Sequence, residues 1–124
     1  MSYHIEYREE RGYIYVVFDG FLDIHVFQSM AREVGRLIQD TGCDRILSDM
    51  RKSTLDEGVG DVYFMPKQAL AAGVSRSVRR ALVVSAPVSD YCFLETVFVN
   101  QGNVVKVFED FGEAEKWLFS EESG

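Results

Sequence analysis

The hydrophobic pattern changes period along this chain, and that alternation narrows the fold more than any single motif does. Short apolar runs stand at 13–18 (YIYVVF), 45–50 (RILSDM), 80–86 (RALVVSA) and 104–108 (VVKVF). Between them lie longer stretches in which apolar residues recur every three or four positions. The runs suit buried strands, and the stretches suit amphipathic helices. Strands that alternate with helices pair in parallel through right-handed crossovers. The expected class is α/β, a single open, mostly parallel sheet of about five strands.

The first segment carries a different signal. In YHIEYR (3–8), Tyr3, Ile5 and Tyr7 fall on one face and His4, Glu6 and Arg8 on the other, as in a half-exposed strand. The short connection ending at Gly12 makes an antiparallel hairpin with 13–18. Asp19-Gly20 is expected to close that second strand. Asp23 then caps a helix whose stripe holds Ile24, Phe27, Met30, Ala31, Val34, Leu37 and Ile38, and Gly42 ends it. Residues 61–73 read as a helix whose regular part begins near Met65. Pro66 would then take the first helical position, where a missing N–H costs nothing. Pro87 closes the strand 80–86. Ser89 or Asp90 is the expected cap of a third helix, YCFLETVFVNQ, ended by Gly102. Asp110 with Glu113 opens a fourth, with Phe111, Ala114, Trp117 and Leu118 turned inward, and the tail SEESG is expected to fray.

At 124 residues, with 47% apolar content, the chain reads as one domain spanning 1–124. A formal charge of −7 disfavours nucleic acid and anionic membranes as partners. No apolar run approaches the roughly 20 residues of a membrane span, and no basic-then-apolar leader opens the chain. A cytoplasmic address is expected. Cys43 and Cys92 read as free thiols packed as small apolar groups. His4 and His25 have no metal-ligand spacing around them, so no metal and no cofactor are expected. Arg76, Arg79 and Arg80 read as a solvated strand entrance rather than a phosphate site.

Ligands of open α/β sheets gather at the carboxyl ends of parallel strands. Asp19, Phe21, Asp49 to Thr54, Ser85, Ala86, Glu109 and Asp110 are expected at that end. The central stretch is ILSDMRKSTLDEGVGDVYFM, residues 46–65. Asp49 with Arg51 and Lys52 could receive a small anion or polar head group, or simply serve the turn. Leu55, Val59, Val62, Tyr63, Phe64 and Met65 follow two glycines and could form a lid, a docking patch or plain core. Ser53 and Thr54 are candidate phosphorylation positions, or caps. Signals for catalysis are few. There is no G-x-S-x-G, glycine-rich phosphate loop or H-E-x-x-H, and Asp19, Asp49 and Asp110 are the carboxylates that could pair at adjacent strand ends.

The hairpin followed by three β-α crossovers, and the ending VVKVFEDFGEAEKWL, resemble the SpoIIAA-like proteins, STAS-type domains related to anti-sigma-factor antagonists. RILSDM and its polar continuation are similar to that family's third strand and functional loop. The resemblance implies a small bacterial module used for binding or regulation rather than catalysis, and some relatives of this shape hold apolar molecules or lipids. Phosphorylation-switched antagonists carry Asp-Ser-(Ser/Thr)-Gly at the start of the second helix. Here the run is Lys52-Ser53-Thr54-Leu55, with Gly58 and Gly60 later, which departs from that motif. The expected function is non-enzymatic capture of a small apolar or lipid-like ligand at the strand ends. Arg51 would meet its head group, and Tyr63, Phe64 and Met65 would cover its apolar part. The alternative is a protein-partner switch modulated at Ser53 or Thr54, and the least favoured is an enzyme using Asp49. The apolar third helix and the edge strand bearing Tyr3, Ile5 and Tyr7 make a homodimer an expectation as well.

Overall fold

The computed structural model describes residues 2–55, 59–85 and 88–120, with the backbone alone at 59 and 60. The elements are β1 (Ser2–Arg8), β2 (Tyr13–Leu22), α1 (Ile24–Thr41), β3 (Arg45–Leu55), α2 (Val59–Ala71), β4 (Arg79–Val83), α3 (Ser89–Asn100), β5 (Val104–Phe108) and α4 (Phe111–Leu118). Among the described residues, five strands form one sheet in the order β1-β2-β3-β4-β5. β1 runs antiparallel to β2 and the remaining pairs are parallel, as the alternation of periods implies.

Both faces of the sheet are covered, which explains why β2 is apolar on both sides. Ile14, Val16, Phe18, Ile46 and Met50 face a core shared with α1, α2 and α3. Tyr13, Leu47, Ala81 and Val83 face Ala114, Trp117 and Leu118 of α4. The helix ends follow local chemistry. The Asp23 carboxylate accepts the Val26 N–H at 2.8 Å, and Gly42, at φ 73°, donates its N–H to Ile38. Asp110 accepts the Glu113 N–H at 2.9 Å to start α4.

Several boundaries differ from expectation. β2 continues past Asp19-Gly20 to Leu22, and β3 continues past Met50 to Leu55, because the two extensions pair with each other. α2 begins at Val59 and keeps Pro66 in its interior rather than at its first position. Pro66 has no N–H to offer the Val62 carbonyl one turn back. α3 is preceded by Val88 and has no side-chain cap, so neither Ser89 nor Asp90 plays that part. Pro87, Ala86, Gly58 and the end of the tail lie outside the described residues.

The basic group is not a solvated entrance. Arg76 is exposed, but the Arg79 guanidinium lies 4.2 Å from the Trp117 ring centroid and Arg80 is only 9% exposed. Cys43 is buried as expected, whereas Cys92 is exposed. Among the described residues, no helix is long and apolar enough to cross a membrane.

α2 comes closest to α1 and α3, and its inward residues Val62, Met65 and Ala69 join the core over the sheet. Its contact with α1 is tight, since a Cβ placed on Gly35 would overlap the carbonyl oxygen of Ala72. Gly73, at φ 100°, ends the helix, and Val74 donates back to Ala69 at 2.9 Å.

Candidate functional site

β4 stops short of β3. The last paired residues are Asp49 and Val83, so beyond Asp49 the β4 side of β3 has no strand against it. On its other side β3 pairs with β2 out to Leu22–Leu55, with a register shift between Val17 and Asp19. One extra residue of β3 is accommodated there, a bulge of the kind that re-aims side chains. Past Asp19, which still pairs with Ser2, the result is a two-stranded projection, Gly20–Leu22 against Ser53–Leu55, at the carboxyl end of the sheet. Phe21 stands on it 63% exposed, opposite exposed Thr54.

Asp49 is satisfied internally. Its carboxylate accepts Nε and Nη2 of Arg51 at 2.9 and 2.7 Å, and also the Arg51 backbone N–H at 3.2 Å. The Arg51 guanidinium beside it holds the Asp49 carboxyl below the usual carboxylate range, and the Arg51 pKa is raised in return. Arg51 also lies 5.7 Å from the Phe111 ring of α4. This pair therefore sits on the α4 face of the sheet.

Tyr63, Phe64 and Met65 sit on α2, across the sheet from that pair. Tyr63 and Phe64 are 50% and 56% exposed, consecutive aromatics on the outer surface of the helix. Tyr63 meets Phe93 of α3 edge-on at 6.1 Å, and its carbonyl accepts Nε2 of Gln101. Met65 is fully buried with Val62, so both are core. The expected lid, with Arg51 on a head group and Tyr63, Phe64 and Met65 over a tail, is not assembled. The sheet separates its two halves, and Met65 faces inward.

The two hydroxyls differ sharply. Ser53 Oγ donates to the Met50 carbonyl at 2.7 Å and shares a hydrogen bond with the Tyr91 hydroxyl. Because the one Ser53 hydrogen is spent on Met50, Tyr91 is the donor to Ser53. Burial pushes the Tyr91 phenol up, which keeps it protonated for that role. Thr54 is exposed, and its hydroxyl makes no hydrogen bond among the described residues. Ser85 donates to the Arg51 carbonyl at 3.1 Å, closing part of the open side of β3.

The carboxylates do not converge on a shared site. Asp49 is tied to Arg51, Asp110 caps α4, and Asp19 is exposed. Among the described residues, no group of three or more His, Cys, Asp or Glu could hold a metal ion. Tyr91 was not singled out from the sequence. A tyrosine within the apolar face of a helix was the available signal, since a buried phenol needs a partner for its hydroxyl.

No protein-family model matches the sequence, and no curated protein matches it. Solved structures do. An anti-sigma factor antagonist from Mycobacterium paratuberculosis superposes with a TM-score of 0.62 over 96% of this chain and 94% of its own, at 14% identity. The anti-sigma factor antagonist SpoIIAA in its unphosphorylated form gives 0.54 over 90% and 92%, at 17% identity. The fold is SpoIIAA-like. An uncharacterized protein of the DUF3478 family from Shewanella loihica PV-4, with a SpoIIAA-like fold, gives 0.59 over 94% and 92%, also at 17% identity. On this SpoIIAA-like scaffold the chain carries the β2–β3 projection, the Tyr63-Phe64 pair on α2 and the Tyr91–Ser53 hydrogen bond.

Proposed function

We propose that the chain is a non-enzymatic regulatory module that works by docking another protein on α2 and the adjoining β2–β3 projection. The observation that carries this reading is the pair of consecutive, half-exposed aromatics Tyr63 and Phe64 at the same end of the fold as exposed Phe21. Aromatic side chains give large contact area at low entropic cost and dominate binding energy at protein interfaces. The likeness to two anti-sigma factor antagonists supports a protein partner over a small ligand at the strand ends. The partner class we assign is an anti-sigma factor.

Ser53 and Thr54 are the modulating positions in this proposal, and their roles differ. A phosphate on Thr54 would add up to about two negative charges beside Lys52 on the exposed face. One on Ser53 would have to displace the Tyr91 hydroxyl and so disturb the start of α3.

The test is titration calorimetry of the protein against the anti-sigma factors encoded in its own genome. Wild type should bind at least one. Tyr63→Ala with Phe64→Ala should weaken binding by at least about tenfold. Stability of that double variant should fall by no more than about 1 kcal/mol, as expected of half-exposed side chains. If no anti-sigma factor binds, or if the double variant binds as well as wild type, the proposal is wrong.

A further inference from the structure

The three helices on this face of the sheet leave a space over its middle. A cavity of about 100 Å³ occupies that space, walled by apolar side chains that include Val16, Phe27, Val34, Leu82, Leu94 and Phe98. Two polar side chains that also line it are unusual for such a place. Ser48 sits in the central strand on the helix-covered face, in register with Val16 and Leu82. It is nonetheless only half-buried, and its hydroxyl makes no hydrogen bond among the described residues. The other is Arg80.

Arg80 is 9% exposed and has no carboxylate partner among the described residues. Its Nε donates to the Val78 carbonyl at 3.1 Å. Its Nη2 donates to Oδ1 of Asn103 at 2.6 Å and, at the longer distance of 3.5 Å, to the Ser75 carbonyl. These acceptors are all neutral. The guanidinium also lies 5.6 Å from the Phe98 ring centroid. Nη1, with two N–H donors of its own, makes no hydrogen bond among the described residues. Burial pushes the Arg80 guanidinium down to about 10, which leaves it cationic at neutral pH. A buried cation without a counter-charge is costly, and the interior returns that cost only when an anion meets it.

We propose that this cavity binds a short-chain aliphatic carboxylate. The Nη1 donors of Arg80 take the carboxylate, and the apolar body lies over Ser48 and Leu82. The size limits the apolar body: an engineered apolar cavity of about 150 Å³ admits the six carbons of benzene, so about 100 Å³ leaves room for roughly four, with the carboxylate outside them at Arg80. This site shares Leu22 with the projection and Tyr91 with the Ser53 hydrogen bond but none of the exposed aromatics, and it does not rest on the partner-binding proposal.

The experiment is an NMR titration of the intact protein with isovalerate, using 3-methylbutanol as the uncharged counterpart and sodium chloride and phosphate at matched concentration as controls. Isovalerate should shift the amides around Ser48, Leu82 and Phe98 saturably, and the alcohol should bind at least about tenfold more weakly, as the loss of a charge-assisted contact implies. Arg80→Met should abolish that preference while the alcohol still binds. If that variant does not fold, the acid–alcohol comparison on wild type decides alone. Equal binding of acid and alcohol would reduce the site to an apolar hole and overturn the role of Arg80. Absence of saturable shifts, or the same shifts from chloride or phosphate, would overturn the carboxylate assignment.

Discussion

Asp49 and Arg51 lie two residues apart on one strand, so the pleat turns both to the same side. Their bond removes Arg51 as a free cation, so a residue that reads in sequence as a ligand contact serves the strand instead. The Asp49 carboxylate is mostly buried, but Arg51 is about half exposed, and solvent screening keeps such a pair modest. Asp49→Asn should therefore cost about 1 kcal/mol at neutral pH. Because the folded-state pKa of Asp49 is lowered, this contribution is present above the unfolded value of about 4 and fades as pH falls through the folded value. Urea unfolding of both proteins at neutral pH and near pH 3 should show the gap closing on the acid side. A gap that does not change with pH would mean that the carboxylate acts through packing rather than charge.

At the scale of elements, apolar periodicity was a good guide and polar continuations were not. The hairpin, α1 with its Asp23 cap, and α4 with its Asp110 cap were all legible, because an apolar pattern and a cap residue agreed in each. β3 looked as though it ended at Met50, because Arg51 to Thr54 are polar. They extend the strand only because Asp19–Leu22 accompanies them, a pairing that no local pattern announces. α2 was half legible. Val62, Met65 and Ala69 keep helical spacing on its buried side, but Pro66 argued for a later start, and tertiary packing overrode it. Burial of Arg80 was not legible, since its closest acceptor, Asn103, lies 23 residues away and the local ones, Val78 and Ser75, are backbone carbonyls that any sequence offers. Gly35 likewise looks like an ordinary helix residue, yet it is where α1 admits the end of α2. Gly35→Ala should lower stability by at least about 2 kcal/mol, because its methyl meets backbone that cannot rotate away. Thermal or urea unfolding checks this, and a neutral result would show that α2 can shift without loss.

For the whole molecule, the monotonic strand order places three helices on one face and α4 on the other, and that division separates Arg51 from Tyr63 and Phe64. Residues adjacent in the chain thus serve opposite sides of the protein. The mounting of α2 has a kinetic consequence too. The backbone of α2 approaches the strands less closely than that of α1 or α3, and α2 carries a proline-broken bond ladder. It can open without disturbing any strand pairing, so its amides should exchange with deuterium through a local fluctuation rather than through global unfolding. Hydrogen-exchange mass spectrometry should find peptides from 61–71 exchanging well before those of α1 or the central strands. Exchange of α2 in step with the central strands would instead mark it as part of one cooperative unit. A helix that opens alone is also one whose closing can be biased from either side, by a protein on its outer surface or a small molecule beneath it. Slowed deuterium uptake in that one helix would report both events.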